Sequence, residues 1–179
     1  MVKVLNKPIG LLGGSFDPAH KGHLAISKIA IKKIKLEKVY WIVSRKNPFK
    51  KKPHFSLSER MTRAKKLTSK INKIKVIYLD KTLKSSRIIQ VINYFINKKK
   101  LKNIYFIIGS DNLIKFHKWK SWKKIVKLTK LVVFSRKGYD KKSKKSVVAK
   151  YLKNKFIFIN NKPIIISSTK LRSQTQLKY

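Results

Sequence analysis

Short apolar runs rich in β-branched and aromatic residues alternate along this chain with segments whose apolar residues recur at helical spacing. The alternation is typical of α/β proteins in which helices connect parallel strands. The predicted strands are Ile9–Leu12, Val39–Val43, Lys75–Leu79, Ile104–Ile108, Leu131–Phe134 and Phe156–Ile159. The predicted helices are Gly22–Ile34, Leu57–Ser69, Ile88–Asn97, Trp119–Lys127 and Ser143–Leu152, with a last one that begins near Thr169. We therefore expect a doubly wound α/β fold with a mainly parallel sheet.

Two polar segments, Lys46–His54 and Arg136–Lys142, contain proline or glycine and are predicted to be loops. Neither is long enough to be a linker between domains, so we expect a single domain over residues 1–179. The chain lacks cysteine, which excludes disulfides, thiolate metal sites and thiol nucleophiles. Its apolar runs are shorter than the roughly 20 residues that span a bilayer, and its start does not resemble a signal peptide. These features predict a cytoplasmic protein without a membrane partner.

The charge of the chain is extreme, since 47 basic residues against 6 acidic ones give +41. Such a charge suggests a polyanionic partner. Lysine carries nearly all of it, whereas the planar guanidinium that suits base and phosphate recognition is rare. Lysine, isoleucine, asparagine, phenylalanine and tyrosine share AT-rich codons, and we favour drift in an AT-rich genome over selection for polyanion binding. No specific nucleic-acid partner is expected. The only arginines are Arg45, Arg60, Arg63, Arg87, Arg136 and Arg172.

The segment Gly13-Gly14-Ser15-Phe16-Asp17-Pro18 directly follows the first predicted strand and precedes a helix. It therefore lies at the carboxyl edge of the sheet, where doubly wound folds bind ligands. Glycines permit close approach of the backbone to a phosphate, a serine hydroxyl adds a donor, and a helix start offers N–H groups. The alternative is a tight turn that binds nothing.

His20 and His23 favour the phosphate interpretation, because a spacing of three at a helix start places both imidazoles on one side. Imidazole N–H groups can stabilise the charge that grows during phosphoryl or nucleotidyl transfer. A zinc site is disfavoured because no third ligand with suitable spacing is present, and no protein-held metal is expected. His54 and His117 are interpreted as surface or partly buried histidines.

A second candidate anion site is Ser167-Ser168-Thr169-Lys170-Leu171-Arg172 near the far end. Serine and threonine are natural N-cap residues, and a helix start followed by Lys and Arg attracts anions. Taken alone, the segment is better interpreted as a well-capped helix.

Together, GGSFDPAHKGH and ISSTKLR resemble the HxGH nucleotidyltransferase superfamily, and within it the bacterial nicotinate-mononucleotide adenylyltransferases. IIGSDNL followed by FHKW, WIVS leading into NPFK, and LVVFSRKGY are similar to further segments of that family. The resemblance spans nearly the whole chain. It implies a Rossmann-like fold that forms one nucleotidyltransferase domain over residues 1–179.

The resemblance also implies roles for individual residues. His20 and His23 would be catalytic. The mononucleotide would be bound by Asn47, Lys50 and Trp119, the last by stacking on the pyridine ring. ATP would be bound by Gly13, Gly14, Ser15, Phe16, His20, His23, Gly109, Asp111, Ser168, Thr169 and Arg172.

The activity that the resemblance implies is transfer of AMP from ATP to nicotinate mononucleotide, with release of pyrophosphate and with Mg²⁺ carried by ATP. Where the family usually has SYTxxTL, this chain reads Ser85-Ser86-Arg87-Ile88-Ile89-Gln90-Val91, which leaves acid and amide substrates open. Nicotinamide mononucleotide and phosphopantetheine are alternative acceptors. A polybasic nucleic-acid-binding protein without catalysis is the alternative from another class. The chain also ends soon after Arg172, and the sequence does not decide between a monomer and a homo-oligomer.

Overall fold

The computed structural model describes residues 7–45, 52–153, 155–161, 168 and 171–172. Within these residues, the strands are β1 Ile9–Gly14, β2 Lys38–Val43, β3 Ile74–Ile77, β4 Ile104–Gly109, β5 Lys130–Phe134 and β6 Ile157–Ile159. They form one sheet of order β3-β2-β1-β4-β5-β6. The pairs β2–β3, β4–β5 and β5–β6 are parallel. All six predicted strands are therefore confirmed, as is the doubly wound α/β fold.

The inner strands are apolar almost throughout, because helices cover both faces of a parallel sheet. Four consecutive residues of β1 are buried, and β4 and β5 each bury four residues. The edge strand β6 buries only Ile159. Burial thus decreases from the central strands to the edge strand β6, which explains why the apolar sequence pattern is strongest for the central strands.

The helices among the described residues are α1 Lys21–Ile34, α2 Leu57–Thr68, α3 Asp80–Leu83, α4 Ile88–Asn97, α5 Ser110–Lys115, α6 Trp122–Leu128, α7 Asp140–Lys144 and α8 Val147–Tyr151. A 3₁₀ turn, Phe116–Lys118, follows α5. The first three predicted helices are confirmed. The start of α2 has the predicted capping box, in which Ser56 Oγ accepts from the Glu59 N–H at 3.2 Å and Glu59 Oε2 accepts from the Ser56 N–H at 2.9 Å.

Two helix predictions are wrong in detail. Trp119 has extended backbone, and Ser121 is left-handed at φ 62°, so the helix predicted from Trp119 starts only at Trp122. The helix predicted over Ser143–Leu152 is two short helices, because Ser146 caps the second by accepting from the Ala149 N–H at 3.3 Å. The first of the two begins at Asp140, inside the predicted loop.

The chain divides into two compact units. Unit 1 comprises Met1–Leu11 and Arg87–Ile164, and unit 2 comprises Leu12–Ser86 and Ile165–Tyr179. The expectation of one domain over residues 1–179 stays a prediction. None of the helices in the described part of the chain is long and apolar enough to cross a membrane.

Candidate active site

The glycine-rich segment of unit 2 leaves the end of β1 and turns through Phe16. Phe16 is a non-glycine residue at positive φ (48°), and its ring is buried and stacked on Trp41 with centroids 4.9 Å apart. The ring lies in the core, so its side chain offers no surface to a ligand. A contact of Phe16 with ATP would therefore come from its backbone, and its role in ATP binding stays a prediction.

The two histidines form the start of α1. His20 is the N-cap residue, and its Nδ1 accepts from the Gly22 N–H at 3.1 Å. His23 Nδ1 accepts from the His20 N–H at 3.3 Å, which completes a reciprocal cap. Because both Nδ1 atoms are acceptors, a neutral ring in this arrangement carries its proton on Nε2. The hydrogen bonds thus assign Nε2 as the donor atom of each ring.

The histidine rings are packed together and held by the core. Their centroids are 3.9 Å apart, which confirms that the spacing of three brings them to one side. The His23 ring contacts Phe16 at 4.8 Å and Trp41 at 5.9 Å between centroids. Trp41 Nε1 donates to Ser27 Oγ at 2.8 Å, and that hydroxyl donates to the His23 carbonyl at 2.8 Å. The orientation of His23 is therefore fixed from several directions. One N–H expected to face an anion, that of Gly22, is instead bonded to His20.

Asp17 connects this segment to two other parts of unit 2. Its carboxylate accepts from the backbone N–H groups of His54 and Phe55, each at 2.9 Å. Arg172 Nη1 donates to the Asp17 carbonyl and lies 3.5 Å from Asp17 Oδ2. Ser168 Oγ donates to the Pro18 carbonyl at 3.0 Å. The two motifs, about 150 residues apart in sequence, are thus brought together.

Arg60 is a residue of this site that sequence reasoning missed. Arg60 is only 2% exposed, and its guanidinium donates to four backbone carbonyls, those of Ser15, Ser44, Arg45 and Phe55. Burial lowers the pKa of Arg60, against the opposing effect of the nearby Asp17 and Asp80 carboxylates. A signal was available, because an arginine kept in a chain dominated by lysine indicates that a planar donor is needed there.

The segment near Ser85 that departs from the family pattern is also bonded within unit 2. Asp80 accepts from the Arg45 N–H at 2.8 Å and from the Ser86 hydroxyl. Ser86 thus holds the carboxylate that anchors Arg45, the second residue after β2. The predicted mononucleotide residues Asn47 and Lys50 lie outside the described residues, as does Thr169.

In unit 1, Gly109 ends β4 and Asp111 lies in the first turn of α5. Asp111 Oδ2 is paired with Arg136 Nη1 at 2.6 Å, and the two side chains are 23% and 49% exposed. Asp111 Oδ1 is buried and has no hydrogen-bond partner among the described residues. A Cβ at position 109 would collide with Asp111 Oδ1, so glycine is required there for the observed carboxylate position.

Trp119 lies just after the 3₁₀ turn, half-buried against the aromatic core of unit 1. Its ring centroid is 5.0 Å from that of Phe116 and 6.1 Å from that of Phe106, both in edge-on geometry. Trp122 instead makes an edge contact with Tyr151 at 5.0 Å. Trp119 as a whole is partly exposed. His117 Nδ1, in the preceding turn, is buried without a partner among the described residues, and His54 is exposed.

The N–H groups, the serine hydroxyl and the arginine gathered here are donors of the kind that can bind an anion. The part of the chain that the structure describes contains no group of three or more His, Cys, Asp or Glu residues that could hold a metal ion. A parallel α/β sheet whose first strand leads into a glycine-rich turn and two packed histidines is the arrangement expected of the nucleotidyltransferases that the motifs resemble.

The comparisons with known proteins agree with that class. The cytidylyltransferase-like family model matches residues 11–174. A curated relative from Pelagibacter ubique, named a probable nicotinate-nucleotide adenylyltransferase, is 50% identical over 92% of this chain and 91% of its own length. One of the same name from Nitratiruptor sp. is 36% identical over 96% of this chain and 90% of its own. The chain therefore belongs to the cytidylyltransferase-like family.

The fold is also found in a solved structure. Nicotinic acid mononucleotide adenylyltransferase of Plasmodium falciparum, in complex with NaAD, matches with a TM-score of 0.70 at 19% identity. The match covers 93% of this chain and 83% of that one. At this identity the likeness concerns the fold alone.

Proposed function

We propose that this enzyme transfers the adenylyl group of ATP to nicotinate mononucleotide and releases pyrophosphate, in the biosynthesis of NAD. The observation that carries the proposal is the pair of histidines whose Nδ1 atoms are engaged as caps, which makes each Nε2 a donor beside the glycine-rich turn. The curated relatives that cover nearly the whole chain carry the name of this activity.

The phosphates of ATP would be bound in unit 2. Gly14 supports this assignment, because the nearest atoms to a Cβ there would be those of Phe16, at 3.5–3.8 Å, which are ordinary contacts. Packing alone therefore does not require glycine at this position, whereas close approach of a phosphate would. Gly13 and Ser15 flank it, and His20 and His23 supply N–H donors. Ser168, Thr169 and Arg172 would bind the departing pyrophosphate.

Arg172 would change partners when ATP binds. In the structure its guanidinium is bonded to Asp17, whose carboxylate also accepts two backbone N–H groups. A phosphate oxygen carries more charge than the Asp17 carbonyl and suits a guanidinium better. The contact with Asp17 thus holds the arginine at the start of α1 until the substrate replaces it.

Unit 1 holds two further residues for which a substrate role is proposed, Asp111 and Trp119. The buried Asp111 Oδ1 is an acceptor without a partner among the described residues, and such an atom is costly unless a ligand satisfies it. A ribose hydroxyl would do so, with Gly109 leaving the space. The Trp119 ring would stack on the pyridine. Asn47 and Lys50 stay predictions for the mononucleotide phosphate.

The reaction is a direct in-line displacement. A phosphate oxygen of the mononucleotide attacks the α-phosphorus of ATP, the new P–O bond forms, and the bond between the α-phosphorus and the bridging oxygen breaks. Pyrophosphate leaves with the electron pair. The histidine Nε2–H groups stabilise the charge on the phosphoryl oxygens, which is the main contribution a protein makes to such a step. Mg²⁺ bound to the phosphates of ATP would neutralise part of the charge on their oxygens.

The identity of the acceptor is tested by comparing nicotinate mononucleotide with the two alternative acceptors. Nicotinamide mononucleotide and phosphopantetheine need the same chemistry, and Trp119 favours a pyridine over pantetheine. A binding protein without catalysis would have no use for two histidines fixed as Nε2 donors. A cytoplasmic location, and the absence of a specific nucleic-acid partner, stay predictions of the sequence.

The experiment is to offer purified protein ATP and magnesium with each acceptor in turn and to measure pyrophosphate. We expect turnover with nicotinate mononucleotide. His23→Ala should lower kcat by orders of magnitude while the protein stays folded. His54→Ala is the matched control, because its ring is exposed and only its backbone N–H contacts Asp17. Lack of turnover with every acceptor, or an unchanged rate for His23→Ala, would refute the proposal.

A further inference from the structure

A carboxylate of unit 1 that belongs to none of the motifs collects three donors. Asp140 Oδ1 accepts from Ser110 Oγ at 2.7 Å and from the Arg136 N–H at 2.9 Å. Asp140 Oδ2 accepts from Ser135 Oγ. Partial burial raises the pKa of Asp140, but the hydrogen bonds from Ser135, Arg136 and Ser110 together hold it below its usual value. The group is therefore an anion at neutral pH.

Each donor lies in or next to a residue of the Asp111–Arg136 ion pair. Ser110 is fully buried and directly precedes Asp111, and its hydroxyl also accepts from the Arg136 N–H at 3.0 Å. Arg136 holds Asp111 Oδ2 through its guanidinium. Asp140 thus fixes the backbone on both sides of the ion pair, at the ends of β4 and β5, without touching either charged side chain.

We infer that Asp140 is a positioning residue for ATP, which acts through Asp111 and Arg136. The inference rests on the proposed function, in which Asp111 Oδ1 accepts from a ribose hydroxyl. Three hydrogen bonds from two strand ends determine where the Asp111 carboxylate lies. Without them, the loop that carries Arg136 is tied to Ser110 by one hydroxyl alone, and the ion pair loses its fixed geometry.

A residue that only stabilises the loop differs from a positioning residue in its effect on the kinetics. If Asp140 has a purely structural role, its substitution lowers the free energy of unfolding but leaves both KM values unchanged in the folded enzyme. Loss of a positioning residue for the ribose acceptor raises KM for ATP and leaves KM for the mononucleotide unchanged. The two readings therefore separate in the kinetics of the folded variant.

The experiment measures both KM values for the wild type and for variants at this cluster. Asp140→Ala should raise KM for ATP about tenfold, the effect of losing one net hydrogen bond to a charged group. Asp140→Asn should restore most of the loss, because the amide oxygen can replace Oδ1 and the amide N–H can donate to Ser135. Lys141→Ala, at the exposed neighbouring position, is the control and should match the wild type.

Ser110→Ala provides a second route if Asp140→Ala does not fold, since it removes one hydroxyl and keeps the carboxylate. It should raise KM for ATP several-fold. An unchanged KM for ATP in the folded variants, or an equal rise in both KM values, would overturn the inference while wild-type turnover upholds the enzyme. Absence of wild-type turnover would instead overturn the proposed function on which the inference rests.

Discussion

Arg60→Met tests whether one buried guanidinium holds the segments of unit 2 in place. The side chain joins the end of β1, the end of β2 and the start of α2 through hydrogen bonds to four carbonyls, with the shortest to Ser15 at 2.6 Å and to Ser44 at 2.8 Å. Methionine has a similar length and no donor. The substitution thus leaves all four carbonyls without this partner.

The size of the effect follows from these contacts. A hydrogen bond to a charged group contributes about 1.5–3 kcal/mol, and removing one partner of a buried charged network costs about 3–5 kcal/mol in all. The loss is smaller than the sum of four such hydrogen bonds for two reasons. The variant no longer buries a charged guanidinium, and water can reach the carbonyls that are only partly buried. We expect a loss of about 3–5 kcal/mol, against a total stability of about 5–15 kcal/mol for such a domain.

Urea denaturation followed by circular dichroism measures this loss, and thermal unfolding should shift down by about 6–20 °C. Arg63→Met is the matched control on the same helix. Arg63 is exposed and lies 4.2 Å above the Phe55 ring, a contact that contributes about 0.5–1 kcal/mol. If the two variants lose the same free energy of unfolding within about 1 kcal/mol, the guanidinium does not hold the segments and the reasoning is refuted.

Two further predictions concern unit 1. Trp119→Ala should raise KM for the mononucleotide about tenfold through loss of stacking, whereas Trp122→Ala, whose ring contacts Tyr151 instead, should leave it unchanged; equal effects on KM would contradict the assignment. The lowered pKa of Asp140 stabilises the fold above the pKa of the unfolded chain, near pH 4, and this contribution is lost as pH falls through the folded value. The unfolding free energy of Asp140→Asn should therefore fall less steeply than that of the wild type below about pH 4 in urea titrations, and parallel curves would show that the carboxylate is not involved.

The repeating part of the fold could be predicted from the sequence because burial imposes it. Parallel strands covered on both faces must be apolar throughout, and α4 has the predicted bounds Ile88–Asn97 because its apolar residues are strongly periodic. Short elements carry no such period. Neither α3, with four residues, nor α5, with six, was predicted, and the left-handed Ser121 that delays α6 has no signature in its residue type.

Site residues that belong to a sequence motif could be predicted. Site residues that act through hydrogen-bond networks between distant segments could not. The pairing of His20 with His23 followed from their spacing. Arg60 and Asp140 were missed because a single charged residue on a predicted helix or loop is usually at the surface. Their importance arises from carbonyls and hydroxyls that the fold gathers from distant segments, and no local pattern records that.

The N-cap of α1 has a consequence for how this enzyme can vary. Serine, aspartate and asparagine are the strongest N-cap residues, so replacing His20 with one of them offers a helix start at least as good as the present one. Such a variant would be at least as stable at the start of α1 but would lack one of the two imidazoles. Under the proposed function, stability and activity therefore favour different residues at position 20, and a selection for stability alone would favour variants without the second histidine.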